Sequence, residues 1–176
     1  MNPFTKSTLF LRWGMLLLVL SACAYPGTGT DPARIVNKTA VLIADFTPPS
    51  DYEPDFGLHT MGYTAVAYKN GSIGHLYLAQ SEMEADGDAL QQALGEMVPG
   101  YRYEEENLTV VEQRQVSIRN QAVTVTISEG MGWDNELLRQ ATAVFQGKAG
   151  PALLILQQPI SQWDDAAVDA FLTSVR

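Results

Sequence analysis

The sequence predicts an α+β domain: a twisted antiparallel sheet built from hairpins, with helices packed on it in an α-β-α sandwich-like arrangement and a helix closing the chain. Three observations carry this expectation. Apolar residues alternate with period two in several short runs, and the runs come in pairs around turn residues. Helical spacing is clear in only two stretches, 88–97 and 161–176. The paired runs follow one another directly, whereas a parallel sheet would alternate strand, helix and strand.

In chain order, KTAVLIADF (38–46) is apolar and β-rich, and Pro48-Pro49 stops it, which predicts a strand. FTPPSDYEPDFGLHTMGY (46–63) sets Phe46, Tyr52 and Phe56 among prolines; a loop packed on the sheet edge and an aromatic wall over a groove both fit. GYTAVAYKNGSIGHLYLAQS (62–81) holds two strand-like runs around Asn70-Gly71, a pair that supplies the positive φ angles of a tight turn. Leu76 and Leu78 then share one face, and His75, Tyr77 and Ala79 the other. DALQQALGEM (88–97) places Leu90, Ala93, Leu94 and Met97 at helical spacing, with Asp86 or Asp88 as cap and Pro99-Gly100 as terminator.

LTVVEQRQVSIRNQAVTVTIS (108–128) predicts a second hairpin turning near Arg119-Asn120, with Val123, Val125 and Ile127 inward and Thr124 and Thr126 outward. LLRQATAVFQG (137–147) fits helix or strand, and Thr142, Val144 and Phe145 before Gly147 favour strand. PALLILQQP (151–159), bounded by prolines, reads as a buried strand. In SQWDDAAVDAFLTSVR (161–176) the stripe Trp163, Ala167, Phe171 and Val175 predicts a closing helix started by a capping-box-like Ser161 and Asp164.

The 176 residues are expected to divide into a processed leader (1–22), a flexible tether that begins at Cys23 (23–36) and a single α+β domain (37–176). The leader has Lys6, Arg12 and no acidic residue, followed by an apolar run from Trp13 to Leu20 that is short for the ~20 residues of a membrane span. Gly, Pro and Thr dominate AYPGTGTDP, so it should be a short tether. Net charge is −9, and it deepens to −11 once Lys6 and Arg12 are removed; this argues against nucleic acid as a partner and against adsorption to anionic headgroups. The acids are scattered apart from Glu104-Glu105-Glu106, which reads as a solvated run.

Leu20-Ser21-Ala22-Cys23 resembles the lipobox of bacterial lipoproteins, and it holds the only cysteine. The resemblance implies cleavage before Cys23, a diacylglyceryl thioether on its sulfur and an acylated amino terminus, which together make a stable membrane anchor. Ala24 stands where those lipoproteins place Asp for inner-membrane retention. The expected place is therefore the periplasmic face of an outer membrane where the source has two membranes, and otherwise the outer face of the cell membrane. An ordinary signal peptide cut after Ala22 is the alternative. The carboxy-terminal half, from VSIRNQAVTVTISEG through FQGKAGPALLILQQPISQWDDAAVDAFLTSVR, resembles small envelope proteins of the PsbP-like type. That implies an α-β-α sandwich used for protein association, without enzyme activity.

No residue pattern points to a reaction. His59 and His75 lie outside any metal-binding spacing, no G-x-S-x-G elbow occurs, and EMEADGDAL lacks the spacing of a calcium loop. No metal or cofactor is expected. EGMGWDNE (129–136) is the most unusual loop: Trp133 beside Asp134 and Glu136 could bind a partner protein or a sugar, although a turn with Trp133 folded into the core is the simpler expectation. The leading functional expectation is a membrane-anchored, non-catalytic domain that binds another envelope component. A carrier or sensor of a small apolar ligand, its pocket lined by Met61, Met97, Met131 or the aromatics, is the first alternative. A hydrolase of an envelope polymer using carboxylates among Glu129, Asp134 and Glu136 is the second.

Overall fold

The computed structural model describes residues 31–101, 108–132 and 135–176. Three helices, α1 (Pro32–Ala40), α2 (Gly87–Met97) and α3 (Asp165–Ser174), pack on seven strands: β1 (Glu53–Thr60), β2 (Tyr63–Asn70), β3 (Gly74–Ser81), β4 (Thr109–Ile118), β5 (Gln121–Met131), β6 (Leu137–Gln146) and β7 (Pro151–Pro159). The strands form one antiparallel sheet in the order β1-β2-β3-β7-β6-β5-β4. Two meanders therefore meet at β3 and β7. The α2 connection carries the chain from β3 in mid-sheet to the far edge, and the second meander works back inward.

Hairpin chemistry fixes both registers. Arg119 and Asn120 adopt φ of 51° and 60° between Ile118 and Gln121, a two-residue turn whose twist matches the strands. At the Asn70-Gly71 hairpin only Gly71 is left-handed, at φ 64°, and the loop spans Gly71 to Ile73. A third tight turn, Met61-Gly62, joins β1 to β2 with φ of 51° and 79°. Consequently 53–60 is an edge strand where the sequence suggested loop.

The strand expected at 38–46 is instead the end of α1 and the turn after it. Asp31 caps α1 by accepting from the Ala33 amide, Pro32 occupies the first turn, and Val36, Ala40, Ile43 and Ala44 are buried at spacings of four, seven and eight. Residues 32–36 of the expected tether belong to this helix, so its period is visible only across the boundary that composition drew.

At the other end, Asp164 caps α3 alone, accepting from the Ala166 and Ala167 amides, while Ile160–Gln162 make a single 3-10 turn. The extended Asp164 resets the helical phase. Val168, Phe171, Leu172 and Val175 are buried, Ala167 is exposed, and Trp163 precedes the helix.

One sheet face is covered throughout. Val66, Tyr68, Leu76, Leu78, Val125, Ile127, Phe145, Leu154 and Leu156 pack there against α1, α3 and the 43–52 segment. Phe46 stands edge-on to Tyr68 and Phe171, and Tyr52 donates to the Gln157 carbonyl at 3.0 Å. On the other face, among the described residues, α2 is the helix that packs, burying Leu90, Leu94 and Val98 on Ala65, Ala67, Tyr77, Ala79, Leu153 and Ile155. It covers β2, β3 and β7, leaving Thr124 and Val144 of β5 and β6 exposed on that side.

Candidate binding grooves

Of the residues singled out in the sequence, Cys23, Trp133 and Asp134 lie outside the described residues, as does the Glu104-Glu105-Glu106 run. Glu136 is exposed in a tight connection between β5 and β6, where the Gly132 amide donates to the Glu136 carbonyl at 2.8 Å and Asn135 is left-handed at φ 63°. Glu129 faces Arg139 across the β5–β6 register and accepts from its Nε at 2.6 Å. That carboxylate is committed to a guanidinium partner.

Arg139 belongs to a charged network that fastens α3 to the sheet. Its guanidinium carbon lies 5.6 Å from the centre of the Trp163 ring, and the indole N–H donates to Asp165 at 2.9 Å. Arg114 reaches Glu112 and Asp165, both at 3.1 Å, and Asp169 at 2.9 Å. Burial works against the Arg114 charge, but the bonds to Glu112 and Asp165 and the Asp169 charge outweigh it and raise its pKa. The Trp163 bond, with Arg114 and Arg139, holds Asp165 below the usual carboxylate range. This constellation explains why two arginines stand on strands. Arg114 and Asp169 meet as an ion pair, and Arg114 Nε and Nη2 and Asp169 Oδ1 make no hydrogen bond of good geometry, so the constellation acts as a clamp through charge more than through saturated hydrogen bonding.

The remaining titratable groups have structural surroundings. His75 stacks on Tyr77, with ring centroids 5.4 Å apart, and burial lowers its pKa against the opposing pull of Asp55. Beside it, Gln157 donates to Gln140 at 2.7 Å and Gln140 to Thr142 at 2.8 Å, a satisfied buried polar row. Burial pushes the Tyr68 hydroxyl up to about 12 and raises that of Tyr52 as well. Among the described residues no group of three or more His, Cys, Asp or Glu is arranged to hold a metal ion, and no helix is long and apolar enough to cross a membrane.

Two grooves remain. The first, of about 450 Å³, lies between α3 and the 47–51 segment; Leu156, Val168 and Phe171 line it together with Asp51, Gln158 and Asp164. The second, of about 350 Å³, lies between α2 and the Met61-Gly62 turn; Met61, Tyr63 and Met97 line it with Thr60, Gln92 and Glu96. Two of the three methionines proposed from sequence thus share one groove. Met131 is at the far end of β5, and the aromatics divide, with Phe46 and Tyr52 in one core layer and Phe56 against the other. Sequence reasoning missed Met61 as a turn residue because Met-Gly is a weak turn signal beside Asn-Gly. No family model and no curated protein matches this chain.

Proposed function

We propose that this protein is a lipid-anchored envelope domain that acts by binding another envelope component and carries out no reaction of its own. Anchoring is read from the Leu20-Ser21-Ala22-Cys23 motif. The eight steps from Cys23 to the α1 cap at Asp31 can lift the domain by at most ~29 Å, so its partner works close to the bilayer. The fold is dominated by its seven-stranded sheet, and the helices on its two faces support an α-β-α sandwich-like reading. The observation that carries the binding role is the methionine-lined groove on α2. It holds a large apolar side chain, Met61, that is 90% exposed in a turn where glycine or asparagine is favoured.

The test is native mass spectrometry of the full-length protein gently extracted from its own membranes, with Cys23→Ala as control. An acyl mass increment lost in the variant, with a protein companion retained, supports the reading. A bare protein without companion refutes the binding role, and a missing acyl increment refutes the anchor. The groove beside α3 favours a second reading, carriage of a small partly apolar ligand, which the same spectrum would show as a small-molecule adduct.

A further inference from the structure

We infer that the α2 groove takes a cationic amphipathic segment of the partner protein, a helix with an apolar face and lysine or arginine along its flanks; this rests on the binding role proposed above. The floor and wall supply the apolar half. Met61, Met97 and Tyr63 all line the groove, and unbranched thioether side chains mould to differing apolar partners. A shallower depression shares Ala89 and Gln92 and is lined also by Asp88 and Gly95, so small residues leave room for a second helix to lie against α2.

The rim supplies the charge. From Asn70 to Tyr101 the sequence has five carboxylates, Glu82, Glu84, Asp86, Asp88 and Glu96, and no lysine or arginine. All five are exposed. Glu96 lines the groove, Asp88 lines the shallower depression, and the Glu82 amide donates to Gly62 in the turn that presents Met61. Lys69, the last cation before this span, is paired with Asp55 at 2.7 Å. Among the described residues none of the five is ion-paired, although Asp86 caps α2 and Glu96 accepts from Gln92 at 3.1 Å. An apolar strip beside such acids matches a helix of opposite sign, and it repels an acidic or purely polar one.

Only four methionines, Met61, Met83, Met97 and Met131, follow Cys23, which makes the test direct. Full-length protein carrying ¹³C-methyl methionine, held in nanodiscs of neutral lipid, is titrated with a short amphipathic peptide of leucine and lysine. The Met61 and Met97 methyl resonances should move and saturate while Met131 stays still, with binding weakening as salt rises. Met61→Asn, which suits the left-handed turn, should weaken the titration about tenfold, the size of a single anchor residue. Equal response to a scrambled peptide of the same composition or to a leucine–glutamate peptide would overturn the inference. So would an unchanged titration in Met61→Asn. The two readings fail separately: a companion that co-purifies equally with wild type and Met61→Asn leaves the binding role standing and removes the groove from it.

Discussion

Gly57 lies in the middle of edge strand β1, where α1 crosses directly above it. An ideal Cβ there would stand 2.9 Å from Val36 Cα and 3.3 and 3.4 Å from Thr39 Oγ1 and Cβ. Carbon atoms rest at about 3.5–4.0 Å, so Gly57→Ala forces α1 back by roughly half an ångström or more. Val36 and Ala40, buried under that helix, would lose packing, and overfilling of this kind costs about 1–3 kcal/mol. A strand gains about 0.5–1 kcal/mol when alanine replaces glycine, so the expected net loss is about 1–2 kcal/mol. That corresponds to a midpoint lower by roughly 3–6 °C for a domain of this size.

Urea unfolding followed by circular dichroism gives the loss, and hydrogen exchange should place the faster amides in α1. Because the nearest atom is backbone, Val36→Ala cannot relieve the contact, and the double variant should be at least as unstable as the sum of the singles. Wild-type stability in Gly57→Ala with unchanged α1 protection would refute the placement of α1 on β1. Rescue by Val36→Ala would show that the crowding involves side chains only.

Met61→Asn should raise stability by about 1 kcal/mol in the same denaturation assay, because a left-handed φ of 51° is costly for methionine and tolerated by asparagine. Arg114→Ala should lower it by about 1–2 kcal/mol, a discounted figure because its three carboxylate partners are about half exposed; a double-mutant cycle with Asp169→Asn should show coupling. The pH profile carries a His75 signature. Burial lowers its folded pKa below 6.5, so the unfolded chain takes up a proton first; the His75 contribution is complete above about pH 6.5 and declines as pH falls below it. His75→Gln should flatten stability between pH 7 and 5, and a slope that persists would assign the effect elsewhere.

Much of the sheet was legible because burial leaves different traces on different strands. PALLILQQP is continuously apolar since β7 is covered on both faces, while VTVTIS alternates since only one face of β5 is. The hairpins at Asn70-Gly71 and Arg119-Asn120 and the Asp86 cap of α2 were likewise local signals. The misreadings share a cause as well. Val41-Leu42-Ile43 looks like a strand core, but Val41 and Leu42 are exposed and only Ile43 is buried, in phase with Val36 and Ala40. The stripe through Trp163 and Ala167 assumed one helix where the chain restarts at Asp164. Nothing local announces that Arg114 and Arg139, distant in sequence, meet Asp165, or that a methionine turn shares a groove with Met97 on α2.

The two faces of the sheet are held by different means, and this decides where a partner can sit. On the α1–α3 face the elements are cross-tied by polar contacts: Asp45 and Arg176 exchange backbone bonds at 2.7 and 2.8 Å, the Arg119 amide donates to Val175, and the arginine clamp fixes the start of α3. A partner there would have to replace bonds already made. The α2 layer rests mainly on the apolar contacts of Leu90, Leu94 and Val98 and keeps its carboxylates directed to solvent. Asp31 caps α1 on the sheet face opposite the α2 groove, so the partner proposed for α2 would leave the clamp and the cross-ties of the α1–α3 face in place.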